Sequence, residues 1–162
     1  MDQSKSVRIL GIDPGLNITG YAVLDFRGAD VSILEAGTIR PDSAGSLAAR
    51  VAHIYLDIKE IIADTKPAVL AVEQIYSHFK HPKTSVIMAH ARGAILLAAE
   101  LAKISVKNIP ATKVKKSLTG NGHATKLQMQ TSVQGIFKLP ELPTPPDVAD
   151  AIAIALCAGR NF

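Results

Sequence analysis

Short blocks of apolar residues fill the first forty positions, and then the spacing changes. Residues 7–13, 19–27 and 31–40 are rich in Val, Ile and Leu and are broken at Pro14-Gly15 and Arg27-Gly28. They read as three strands, close enough together to form antiparallel hairpins. From Ser43 the period becomes helical, with Leu47, Val51, Ile54, Ile58, Ile61 and Ile62 on one face before Pro67. "AVLAVE", residues 68–73, is a continuous apolar run too short for a typical helix, which predicts a buried parallel strand. A polar-aromatic loop over 74–83 precedes a helix over 84–103 dense in Ala and Gly. Its small residues Ala89, Ala91, Gly93 and Ala94 allow close packing, against a second subunit or against the chain's own sheet.

The remaining pattern predicts a short strand, "ISVKNI", and a basic helix, "ATKVKKSLTG", stopped by Gly120. A flexible "NGHA" loop, the helix "TKLQMQTSVQGIFKL", an extended link through Pro140, Pro143, Pro145 and Pro146, and a last helix, "DVADAIAIALCAG", complete the chain. The order βββαβαβααα predicts one α/β domain over residues 1–162, with a mixed five-stranded sheet flanked by helices.

At 162 residues the chain is long enough to bury roughly 70% of its unfolded surface. Although 48% of residues are hydrophobic, no apolar run approaches the ~18 residues of a membrane span. "MDQSKSVRIL" carries no signal-like stretch, so no membrane association is expected. The lone cysteine, Cys157, excludes an intramolecular disulfide, and a cytoplasmic location is expected. The net charge of +4 conceals a strong asymmetry. Residues 74–140 hold ten Lys/Arg and one acid, Glu100, giving +9; the rest hold eight Lys/Arg and thirteen acids, giving −5. So one-sided a block suits either a polyanionic partner, most simply nucleic acid, or a solvated basic face.

Against this background four acids stand in strongly apolar contexts. Asp13 and Glu73 end two of the expected strands, where α/β sheets place their sites. Asp147 and Asp150 lie three apart after Pro146, at the start of the last helix, so they share a face and its positive end favours their ionised forms. Each has an ordinary structural reading: Asp13-Pro14-Gly15 as a plain turn, the Asp147 and Asp150 pair as helix capping. Glu73 is harder to explain by packing, because glutamate rarely ends a buried run. Gathered in one pocket, four carboxylates repel, and hard divalent cations resolve the repulsion; Mg²⁺ favours carboxylate oxygens plus substrate phosphate. Two such ions roughly 3.5–4 Å apart suit in-line phosphodiester hydrolysis.

"GIDPGLNITGYAVLD", "AVEQIY" and "PPDVADAIAIAL" resemble, in order and separation, the RuvC Holliday-junction resolvases of the RNase H-like superfamily. The resemblance runs from about residue 7 to the last helix. It implies that Asp13, Glu73, Asp147 and Asp150 form a catalytic, metal-binding tetrad, with Asp147 the variable member. Two Mg²⁺ per site are implied, with Mn²⁺ able to substitute, and metal-activated water is the implied nucleophile. A homodimer cutting four-way junction DNA symmetrically is implied as well, with RuvA and RuvB as partners. Among DNA-binding candidates, Tyr76 matches an aromatic position of the family and reads as a base-stacking platform or a loop anchor. Phe79 has a weaker claim. Lys115 and Lys126 match basic positions; Lys113 and Lys116 read as general phosphate grip. The loop Gly120 to His123 could follow the DNA. His78 and His81 are spaced H-x-x-H but lack further ligands for zinc.

Three rivals share features. Actin-like ATPases and sugar kinases use a similar strand–Asp–Gly turn, but need a second phosphate hairpin and usually a second domain. A YqgF-like RNA nuclease has the same fold. A non-catalytic junction-binding scaffold has no need of four acids.

Overall fold

The computed structural model describes residues 6–74 and 82–160. The elements are β1 (Val7–Asp13), β2 (Thr19–Arg27), β3 (Asp30–Ile39), α1 (Leu47–Thr65) and β4 (Val69–Glu73), then α2 (Pro82–Leu101), β5 (Ser105–Ile109), α3 (Ala111–Thr119), α4 (Lys126–Phe137) and α5 (Pro146–Gly159). They follow the expected order, and the five strands form one mixed sheet ordered β3-β2-β1-β4-β5. The first three strands pair antiparallel, whereas β4 and β5 add in parallel beside β1.

Alternation along the strands divides the core between two faces. Ile9, Ala22, Leu24 and Ala71 face α5, with α3 and α4 alongside. Leu10, Ile12, Val23, Leu70 and Val72 face α1 and α2. The α1 stripe is buried through Ile54, Ile58, Ile61 and Ile62, as its spacing predicts. Ser46 caps that helix by accepting the Ala49 N–H, and Lys66 ends it in the left-handed conformation.

One expectation divides. The small residues of α2 divide: Ala91 and Ala94 pack into the chain's own core, while Ala89 and Gly93 face outward. Around them Val86, Leu97 and Leu101 are also exposed, leaving an apolar outer stripe. By length and composition α2 could cross a membrane. Its inner stripe is nonetheless committed to the sheet, through Ala91, Ile95, Ala98 and Ala99.

Helix α5 is the structural centre, buried from Val148 to Gly159 apart from Asp150. It lies unusually close to the strands because two of them offer glycine. A Cβ on Gly11 would stand 2.3 Å from the Ala151 carbonyl oxygen, and one on Gly20 would stand 2.2 Å from that of Asp147. No side chain fits at either position unless the helix withdraws.

Candidate active site

Asp13 is the last residue of β1, opposite Gly20 on β2. Beyond it the chain turns sharply. The Thr19 hydroxyl donates to the Gly15 carbonyl at 2.6 Å and accepts the Gly15 N–H at 3.2 Å. A Cβ on Gly15 would come within 2.2 Å of the Ile18 oxygen, so this turn requires glycine. Arg50 reaches over from α1 and donates to the Leu16 carbonyl at 3.2 Å and to the Asn17 side-chain oxygen. The turn that carries Asp13 is thus held from both sides.

Glu73 ends β4 beside Asp13, because Ile12 and Val72 are register partners in the parallel pair. Gly20 admits the first turn of α5, which brings Asp147 against the β1–β2 hairpin. One turn further on, Asp150 lines a cleft together with Asp13, Glu73, Lys115 and Lys126. Val114, Met129 and Ile154 supply its apolar wall. Three strands of evidence in the sequence therefore meet in one place: strand-end acids, helix-start acids and two lysines of the basic block.

The carboxylates disturb one another. Asp13 is held well above the usual carboxylate range, first by burial and then by the charges of Glu73, Asp150 and Asp147, with Lys126 opposing. Burial also raises Glu73, reinforced by Asp150 and opposed by Lys115. Asp150 is raised too, chiefly by burial. This corrects the expectation that the helix terminus favours ionisation of both α5 acids. Only Asp147 lies in the first turn, and desolvation outweighs the terminus at Asp150.

Three carboxylates with raised affinity for protons make a site that lacks positive charge. Its donors are all carboxylate oxygens, the chemistry that Mg²⁺ and Mn²⁺ prefer over thiolate- or imidazole-seeking metals. Among the described residues no three acidic, His or Cys side chains stand close enough together to hold a metal ion by themselves. Such a donor set fits a cation that retains water and shares substrate phosphate, as Mg²⁺ does.

The lysines separate cleanly. Lys115 and Lys126 line the cleft, whereas Lys113 and Lys116 are exposed on α3 outside it. Lys126 is the first residue of α4, where a helix terminus disfavours a cation, so its placement is not explained by helix stability. Tyr76, Phe79, His78 and His81 lie outside the described residues. Sequence reading missed Gly11, Gly20 and Arg50, which position the acids without touching substrate chemistry. An isolated glycine inside each of two strands was the available signal for close backbone approach.

Antiparallel strands leading into parallel ones, with acids at two central strand ends and on the helix crossing them, define an RNase H-like α/β protein. The family model described as "Crossover junction endodeoxyribonuclease RuvC" matches residues 9–158. The protein of that name from Rhodopirellula baltica is 45% identical over 149 residues, covering 92% of this chain and 84% of the relative. That from Nitrosomonas eutropha is 41% identical over 157 residues, covering 97% and 86%. Among solved structures, Thermus thermophilus RuvC in complex with a Holliday junction substrate superimposes with a TM-score of 0.86 at 31% identity, covering 94% and 93%. The chain belongs to the RuvC family of crossover junction endodeoxyribonucleases.

Proposed function

We propose that this protein resolves four-way DNA junctions by metal-dependent hydrolysis of one phosphodiester in each of two opposed strands. The observation that carries the reading is the cleft where Asp13, Glu73 and Asp150 meet Lys115 and Lys126. Asp13, Glu73 and Asp150 would hold two Mg²⁺, with Asp147 at the edge of the site. When bound, the metal supplies activation of a water nucleophile and charge neutralisation at the phosphate.

Within the chain, each group has a definable task. Asp13 feels the charges of Glu73, Asp150 and Asp147 together, so a bound cation would relieve their repulsion most there. Lys115 and Lys126 offset that charge and meet the phosphate oxygens as negative charge builds up in the transition state. The apolar wall of Val114, Met129 and Ile154 lowers the local dielectric, which strengthens both effects. Lys113 and Lys116 add sequence-independent grip on the backbone. Tyr76 is assigned to stacking on a base at the opened crossover.

Two cuts related by symmetry call for two sites related by symmetry. The exposed stripe of Val86, Ala89, Gly93, Leu97 and Leu101 on α2 is the surface we assign to a two-fold contact with a second copy. The enzyme would work in the cytoplasm as a single nuclease domain, with RuvA and RuvB as its partners on the junction.

The test is cleavage of a synthetic four-way junction beside a linear duplex and a single-stranded RNA, each with Mg²⁺ and with EDTA. Mg²⁺-dependent paired nicks in the junction alone are expected. Preferential RNA cleavage would transfer the protein to an RNA-processing role, and tight junction binding without cleavage would make it a scaffold.

A further inference from the structure

Among the described strands β3 forms one edge of the sheet and pairs only with β2. Its sequence, DVSILEAGTI, contains no lysine or proline, the residues that commonly keep a strand edge from pairing further. One irregularity interrupts it. Ile33 pairs with Leu24 and Glu35 with Val23, so Leu34 is an extra residue, and it stands 48% exposed. The bulge exchanges the faces of the strand. Val31 and Ile33 pack toward α5, whereas Glu35, Gly37 and Ile39 turn with Tyr21 toward α1.

On that side β2, β3 and α1 border a hollow of about 270 Å³. Glu35, Asp57, Glu60 and Asp64 line it together with Tyr21, and Ile39 and Ile61 supply its apolar part. No lysine or arginine is among the described lining residues; Arg40, just past β3, donates its Nε–H to the Thr38 hydroxyl at 3.2 Å. Helix stability does not explain these acids. Asp57, Glu60 and Asp64 follow at spacings of three and four, which sets like charges side by side. Asp64 also lies in the last turn of α1, where a helix disfavours an anion. Among the described residues Asp57 meets His53 at 3.2 Å and Glu35 accepts the Tyr21 hydroxyl at 2.8 Å. Tyr21 is pushed up to about 12 by burial, by its bond to Glu35 and by the charges of Glu35 and Asp57.

We propose that residues 35–39 of β3 take up an extended basic segment of a partner protein as a sixth strand, with one lysine or arginine side chain in the acidic hollow. Main-chain hydrogen bonds to the open edge supply affinity, and the hollow selects the side chain. An added strand runs about 4.8 Å outside β3 and sends alternate side chains to the α1 face. From there a long cationic side chain lays its stem on Ile39 and Ile61 while its head meets the carboxylates. Four carboxylates repel a nucleic-acid backbone, so the partner is a basic protein segment. The hollow lies on the α1 side of the sheet, whereas Lys115 and Lys126 belong to helices on the α5 side. The contact therefore leaves the acidic cleft free and does not depend on the nuclease reading.

The experiment uses full-length protein without DNA and a short fluorescein-labelled peptide in which lysine alternates with valine or threonine. The peptide should bind saturably and slow amide hydrogen exchange within residues 35–39. A peptide with glutamate in place of lysine should not bind. N-methylation of either the lysine nitrogens or the intervening ones, but not of both sets alike, should abolish binding, because only one set faces β3. Combined Glu60→Lys and Asp64→Lys substitutions should weaken binding roughly tenfold or more while melting no lower than wild type, since cations suit the end of α1. Absence of peptide binding would overturn the proposal, as would equal binding of the glutamate peptide or indifference to both methylations. Exchange protection away from β3 would overturn it too. Spermine displacing the peptide at equal charge concentration would reduce the hollow to a site for free polycations and remove the added strand.

Discussion

One methyl group added at Gly20 should separate the halves of the active site. The alanine Cβ would lie 2.2 Å from the Asp147 carbonyl oxygen, 2.6 Å from its carbonyl carbon and 3.1 Å from its Cβ. Carbon-to-oxygen contacts settle near 3.3–3.6 Å, so β2 and the start of α5 must part by about 1 Å. Overpacking of this kind costs about 1–3 kcal/mol, offset by roughly 0.5–1 kcal/mol because glycine is a poor strand residue. For a chain of this size a net loss of about 1–2 kcal/mol lowers Tm by roughly 2–8 °C. Catalysis should suffer far more. Asp147 and Asp150 move with α5 while Asp13 stays with β1, and a misplacement of about 1 Å can cost roughly 100-fold in rate. Single-turnover junction cleavage in Mg²⁺, paired with melting curves in EDTA, measures both effects. Gly135→Ala is the control, since Gly135 is helical and a Cβ there meets nothing within 4 Å; its rate should not change and its Tm should rise slightly. A folded Gly20→Ala enzyme cutting at the wild-type rate would show that α5 does not set the geometry of the acids.

Three further outcomes are expected. Asp13→Asn should abolish cleavage with little loss of junction binding, and in EDTA it should melt above wild type by a margin that depends on pH. Because the folded carboxyl is raised, its protonated form is the stable one; the margin should be absent below the ordinary carboxylate range, grow as pH climbs through the raised value, and shrink when Mg²⁺ is added. A pH-independent margin in EDTA would contradict the charge crowding at Asp13. Lys115→Ala should slow single-turnover cleavage at least tenfold with a modest change in Kd, whereas Lys113→Ala should weaken binding and reduce its salt dependence by about one ion; identical profiles would merge the two into general grip. Leu97→Glu, on the exposed stripe of α2, should convert a dimer to monomer in sedimentation at micromolar concentration. A wild-type protein that sediments as a monomer both free and on junction DNA would remove the two-fold contact.

Much of this protein is legible from local order in the chain. Strands show themselves through dense β-branched runs ended by Pro14-Gly15 and Gly28, and α1 through a stripe that is buried from Ile54 to Ile62, although Leu47 at its start stays exposed and Val51 is half-buried. Asp13 and Glu73 stand out because an acid after a buried run is costly, and that cost is a property of the local sequence. Other features depend on contacts between distant segments. Spacing places Asp147 and Asp150 together, yet the fold sends Asp150 into the acidic cleft while Asp147 lines a separate hollow beside the β1–β2 turn. Burial then reverses the influence of the helix terminus on Asp150. Four small residues within six positions of α2 look equivalent, but a helix on a sheet has an inside and an outside, so Ala91 and Ala94 turn inward while Ala89 and Gly93 turn out. Gly11 and Gly20 acquire their meaning only when α5 crosses β1 and β2, more than 120 residues later in the chain. Periodicity reports which face of an element is apolar; what that face meets, and how closely, is settled by packing between elements.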